Sequence, residues 1–146
     1  MVLLFCLVSG SSAFLATGVA VVGTGYYPDI RFPTVQLNTG GDYSSTTGVF
    51  TCRVPGLYWF TATLAKYSGV DVSWIRCDIR LNGDSKIRLY GDPYFGNHKD
   101  GYQVTGSLAL HLTRGDRVQV GDCINAYQIQ RSYHTYFSGM LVRPDV

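Results

Sequence analysis

Three histidines, four cysteines and ten acidic side chains are the groups in this 146-residue chain from which a catalytic or metal site could be assembled. His98, His111 and His134 stand far apart, and neither H-E-x-x-H nor a comparable ligand spacing joins any two of them. Serines are plentiful, yet none sits in a G-x-S-x-G nucleophile elbow. Thr39-Gly40-Gly41 lacks the lysine and helix start of a phosphate loop. Cys6, Cys52, Cys77 and Cys123 form no C-x-x-C pair, so a zinc or thioredoxin-like motif has no support. None of these patterns is a catalytic motif. Two polar loops carry aromatic and charged groups that could contact a ligand. Tyr94, Asn97, His98 and Lys99 form one set; Tyr127, Gln130, Arg131, Tyr133 and His134 form the other. An aromatic ring can stack on the apolar face of a sugar, and an arginine presents paired donors to a carboxylate or phosphate.

The length suits one domain with a substantial core. Hydrophobic residues make up 46% and charged residues only 15%, a low charge content that suits burial in a β-rich core or against further copies of the chain. A formal net charge of +2 with no basic run excludes nucleic acid as an expected partner. Val2 to Val8 is apolar throughout but far too short to span a bilayer. Ser11 and Ala13 follow at the spacing of a signal-peptidase site, so residues 1–13 read as a secretory signal, with 14–146 as the domain. A first strand of the fold is the alternative reading of that segment.

The elements that must position these loops are strands. Val49 to Val54 places Phe50, Cys52 and Val54 on one face, and Pro55-Gly56 then turns the chain into Leu57 to Leu64. The pair reads as a hairpin or as a chain that switches sheets. Leu57 to Leu64 is apolar on both faces, as in a central strand or one with a face in a subunit interface. Ile30 to Leu37 alternates, but Pro33 makes it an edge or an irregular strand. Ile75, Cys77, Ile79 and Leu81 share an inward face opposite Arg76, Asp78 and Arg80. Asn82-Gly83 then predicts a type I′ hairpin to Lys86–Tyr90. Tyr102 to Thr113 turns Val104, Leu108, Leu110 and Leu112 inward, Arg117 to Val120 is a short strand, and Tyr133 to Val142 closes the chain. Gly23 to Asp29, Gly91 to Gly101 and Gly121 to Ser132 read as turns and loops. No amphipathic helix, repeat or collagen-like tract appears. The expected class is all-β: a jelly-roll sandwich of two antiparallel sheets with about ten strands.

Several of these residues resemble, in order, the globular head domain of complement component 1q, a family that shares its jelly roll with tumour necrosis factor. Asn38, Gly40, Tyr43, Gly48, Phe50, Pro55, Gly56, Tyr58 and Phe60 match its most marked stretch. Asn82-Gly83, Gln103 with Gly106, Leu108 to Leu112, Gly115-Asp116 with Val118, and Phe137, Gly139 and Leu141 follow in sequence, and Ala13-Phe14 matches the opening of the first strand. These positions are expected to determine the fold, not to contact a ligand.

The resemblance implies a homotrimer, of the stalkless, secreted, single-domain type. It implies a non-enzymatic, extracellular protein that recognises microbial surface molecules, carbohydrate or lipopolysaccharide-type, with avidity from three sites. A cytokine-like or adipokine-like ligand for a host receptor is the alternative, and an extracellular structural protein a third. Some relatives hold calcium through acidic loop residues, which points to Asp92 and Asp100 here. Within the two loops the expected ligand contacts are Tyr94, His98, Lys99, Tyr127, Arg131, Tyr133 and His134. Some relatives pair a cysteine at the position of Cys77 with one near Tyr90, where this chain has Gly91. Cys77–Cys123, Cys52–Cys123 and an intermolecular bridge through Cys123 in its loop are therefore each open.

Overall fold

The computed structural model describes residues 10–20, 26–67, 74–92, 101–126, 129 and 132–146. Eleven strands carry the fold: β1 (Ala13–Thr17), β2 (Tyr26–Asp29), β3 (Thr34–Thr39), β4 (Tyr43–Ser44), β5 (Val49–Thr51), β6 (Gly56–Lys66), β7 (Ile75–Leu81), β8 (Asp84–Gly91), β9 (Tyr102–Leu112), β10 (Arg117–Ile124) and β11 (Tyr136–Pro144). All named pairings are antiparallel. One sheet runs β3-β1-β11-β6-β9; the other runs β4-β5-β10-β7-β8, with β2 also on β10. This is the expected jelly-roll sandwich. Among the described residues, no helix is long and apolar enough to cross a membrane.

Pro55-Gly56 is where the chain changes sheets, since β5 lies in one and β6 in the other. Of the two readings of that turn, the sheet switch is the one realised. On β6, Tyr58, Phe60, Ala62 and Leu64 are fully buried between the sheets. Rings from both sheets pack there: Phe14 stacks on Tyr43 at 4.7 Å and meets Phe137 edge-on at 4.9 Å, while Phe50 lies 5.3 Å from Phe60. Gly139 on β11 makes this packing possible, because a Cβ there would stand 2.6 Å from the Phe60 ring. Tyr43 is placed from two directions. Asn38 grips its backbone, donating Nδ2 to the Tyr43 carbonyl (2.8 Å) and accepting its N–H (3.2 Å). The Tyr43 hydroxyl donates to the Phe32 carbonyl (3.0 Å) and accepts the Phe32 N–H (3.2 Å), and burial pushes its pKa up to about 12.

The Asn82-Gly83 hairpin forms as expected, with φ of 50° and 87° at its two residues. Several assignments differ from the sequence reading: the closing strand begins at Tyr136 and not Tyr133, and β4 lies where a loop was expected. Tyr26–Asp29, read as a turn, is strand β2, held by pairing with β10. The edge strand after Pro33 begins at Thr34 and extends to Thr39. Gly121 to Ile124, read as loop, continues β10. The signal was hidden because β10 bulges there. Gly121 pairs with Asp78 and Ile124 with Arg76, so Asp122 and Cys123 together face Cys77. Asp122 takes a positive φ of 52° and turns outward, which leaves Cys123 pointing into the core. There it is bonded to Cys77, the Cα atoms being 4.2 Å apart. Of the open pairings this is the one formed, and Cys123 is a buried strand residue, not a loop thiol. Cys52 is free and buried.

The strands also define two poles. β1 begins at Ala13 beside Met140, near the end of β11, whereas Thr17 lies beside Tyr136 at the start of β11. The first and last described residues thus share one pole. At the other pole β6 ends at Lys66, β9 begins at Tyr102, and β7 and β8 meet at Ile75 and Gly91. The N-terminal residues are tied in at the first pole. Ser12 donates its hydroxyl to Asp42 (2.7 Å), and the Ser11 carbonyl accepts from Arg53 Nη2 (2.9 Å). Both contacts lie on the N-terminal side of the expected boundary after residue 13.

Candidate functional site

The pole distant from the termini gathers polar and aromatic side chains around a shallow cleft of about 330 Å³, lined by Ala65, Lys66, Gly101, Tyr102, Gln103 and His134. Lys66 closes the long apolar strand β6 and is fully buried. A lysine can occupy that position because its ammonium has partners. Nζ donates to the Tyr67 carbonyl (3.1 Å) and lies 5.8 Å from the centre of the Tyr102 ring. Tyr102 anchors the far wall. Its hydroxyl donates to the Gly91 carbonyl (2.7 Å), and burial pushes its pKa up to about 12, so it stays protonated at neutral pH. Gln103, next on β9, donates Nε2 to the His134 carbonyl (3.1 Å). The first two residues of β9 thereby join the end of β8 to the turn before β11.

Of the residues expected to contact a ligand, Tyr133 and His134 lie at this pole. Their rings stack at 4.8 Å, and Tyr133 is 72% exposed. Tyr94, His98, Lys99, Tyr127 and Arg131 lie outside the described residues, as do Asn97 and Gln130. Of the acidic pair expected for calcium, Asp92 is at this pole, where its Oδ2 accepts the Tyr90 hydroxyl (3.1 Å). Asp100 lies outside the described residues. Among the described residues, no group of three or more His, Cys, Asp or Glu gathers as metal ligands would. Cys52 is unsuited to nucleophilic work. Burial raises its pKa, the opposite of what activates a thiolate.

Lys66 was not singled out from sequence, and Tyr102 and Gln103 read as strand and fold-determining positions, not as site residues. A lysine directly after Ala62-Thr63-Leu64-Ala65 is the signal that could have found the first of them, since a charge ending a buried strand needs a partner. The described side chains of this pole offer an imidazole on an exposed rim, an exposed phenol and an amide beside a seated cation.

Comparison with known proteins agrees with this architecture. The C1q domain model matches residues 13–142. The chain belongs to the C1q domain family. It is 34% identical over 120 residues to complement C1q tumor necrosis factor-related protein 5 of Rattus norvegicus, covering 80% of this chain and 46% of that protein. It is 36% identical over 119 residues to complement C1q tumor necrosis factor-related protein 2 of Mus musculus, covering 77% and 36%. The chain therefore spans less than half the length of these curated relatives. The globular domain of zebrafish complement 1qA superposes with a TM-score of 0.73 at 20% identity, covering 92% of this chain and 99% of that one. Murine APRIL superposes with a TM-score of 0.68 at 11% identity, covering 90% and 99%. In this C1q domain the marked positions Asn38, Tyr43, Phe50, Tyr58, Phe60, Phe137 and Gly139 are core-forming or core-positioning, as their contacts above establish.

Proposed function

We propose that this C1q domain is a secreted, non-enzymatic recognition module that binds microbial surface molecules or glycans as a homotrimer. The observation that carries this reading is the exposed apolar side chains on the outer face of the five-stranded sheet. Met140 and Trp59 are cross-strand neighbours there, 51% and 45% exposed, and Leu37 and Val142 are exposed on the same sheet. Large apolar side chains gathered on one sheet face suit burial against further copies. Self-association through this face leaves the pole with Tyr133, His134 and the Lys66–Tyr102 cleft open to solvent. Three such poles on one particle give avidity for a repetitive surface. Residues 1–13 serve as the export signal in this reading, and the loop residues outside the described set complete the ligand contacts.

A host receptor as partner is the second reading. It is favoured by the 34% identity to a tumor necrosis factor-related C1q protein. A glycan and lipopolysaccharide array separates the two. Binding there, with trimers in analytical ultracentrifugation, is the expected result. No array binding together with saturable binding to host cells would overturn the microbial reading. Mass spectrometry of protein secreted by its native cells tests the export signal, and an N-terminus at Met1 would refute it.

A further inference from the structure

A second cleft lies on the six-stranded sheet near the same pole, built from β7, β8 and Trp74, the residue just before β7. Trp74, Arg76, Arg88 and Tyr90 enclose about 350 Å³. Arg76 on β7 is the register partner of Tyr90 on β8, and Asp78 is that of Arg88. The Trp74 and Tyr90 rings stand 6.1 Å apart, inclined by 41°. Trp74 is held from behind, its carbonyl accepting Asn125 Nδ2 at 3.0 Å.

The polar groups below these rings are fixed by ion pairs. Arg88 donates Nε and Nη2 to the two oxygens of buried Asp78, at 2.8 and 3.0 Å. Ser85 donates to the same carboxylate at 2.7 Å. Arg76 donates Nη2 to Asp122, the residue turned outward by the β10 bulge, at 3.2 Å. Both carboxylates are therefore occupied. The Nε of Arg76 is buried and meets no hydrogen-bond acceptor among the described residues. Arg88 remains half exposed, with Nη1 outside the bidentate contact to Asp78. The unspent capacity is on the donor side, from two planar guanidinium groups that are already oriented. A carboxylate supplies acceptors in matching geometry, and a pyranose ring supplies an apolar face for the aromatic walls.

We propose that the Trp74–Tyr90 cleft binds a carboxylate-bearing sugar, its acid group on Arg76 and Arg88 and its ring against Trp74 and Tyr90. This rests on the recognition reading above and names a ligand class and a surface for it. The two arginines and two aspartates balance in charge, so binding depends on short-range fit and falls little between low and physiological salt.

The test titrates full-length protein with oligogalacturonate, with its methyl ester and with neutral galactose oligomers. Trp59 and Trp74 are the two tryptophans, so Trp59→Phe makes Trp74 the sole fluorescence reporter. Saturable binding of the acid form, with a change in Trp74 emission and at least tenfold weaker binding of the ester, is expected. Trp74→Ala should weaken binding at least tenfold, and Arg88→Lys about fivefold or more. Should Arg88→Lys fail to fold, Trp74→Ala and the ester comparison decide alone, because Trp74 makes no ion pair in the cluster. Equal binding of acid and ester, acid binding unchanged by Trp74→Ala, or no acid binding up to millimolar concentration would each overturn the proposal. The array and cell experiment above is read separately, so a protein that binds microbial glycans through its loops refutes this cleft while preserving the broader reading.

Discussion

Asp78 and Arg88 face each other across neighbouring strands, with both carboxylate oxygens of a fully buried aspartate taken by one half-exposed guanidinium. Burial pushes the Asp78 carboxyl up. The Arg88 and Ser85 hydrogen bonds and the Arg88 charge outweigh it and hold the carboxyl below the usual aspartate range. A depressed native pKa contributes stability that is fully present above the unfolded value of about 3.9 and lost as pH falls through the lower native value. Urea midpoints measured from pH 7 to pH 2 should therefore fall steeply at the acid end. Asp78→Asn should flatten that limb, and Arg88→Ala should lower the urea midpoint at pH 7 by stranding a buried charge. An unchanged acid limb in Asp78→Asn would contradict this account.

The Cys77–Cys123 bridge closes a sequence separation of 46 residues. By the chain-entropy relation such a loop is worth up to about 4 kcal/mol, so reductant should lower the denaturation midpoint substantially. Thiol titration gives a sharper reading. Native protein should hide Cys52, whose pKa burial raises, and unfolding without reductant should expose it. Cys77 and Cys123 should react only after reduction, and their reaction beforehand would exclude the bridge.

Gly139 lies under the Phe60 and Phe14 rings, where a methyl group has no room. Gly139→Ala should destabilise by about 1–3 kcal/mol through overpacking. Thermal unfolding followed by near-ultraviolet circular dichroism measures the loss directly, since the displaced rings are the chromophores.

A chain starting at Phe14 forfeits the Ser12–Asp42 and Ser11–Arg53 hydrogen bonds. Compared with one starting at Gly10, it should lose about 1–3 kcal/mol, because both bonds involve a charged partner. Equal denaturation midpoints for the two would show that the segment adds nothing to the domain.

Trp59 and Met140 neighbour each other on the outer sheet face. Met140→Asp should shift the sedimentation distribution towards monomer without lowering secondary structure content, since Met140 is half exposed in the single chain. A trimer that persists in this variant would place the contact elsewhere.

Local patterning made much of the fold legible. The alternation through Ile75, Cys77 and Ile79 and the Asn82-Gly83 turn carry their information in adjacent residues, and both formed as read. Asp78 was not legible in the same way. Its position in the alternation assigns it to the polar face, and only Arg88 and Ser85 arriving from the next strand bury it. The extension of β10 was hidden by its bulge, and β2 by its dependence on a partner some ninety positions away, as the Asp29–Gly121 pairing shows. The site divides along the same line. Tyr133 and His134 could be read as loop residues from their neighbours. Lys66 with Tyr102, and Trp74 with Tyr90, become sites only when distant strands meet.

The antiparallel pairing of Ala13 with Met140 has a practical corollary. A tether attached at Gly10, in a chain that starts there, or at Val146 leaves from the same pole, opposite the rim that carries Tyr133 and His134. Protein immobilised through either of these ends should then offer one common orientation to an analyte, and the two formats should yield the same binding curve.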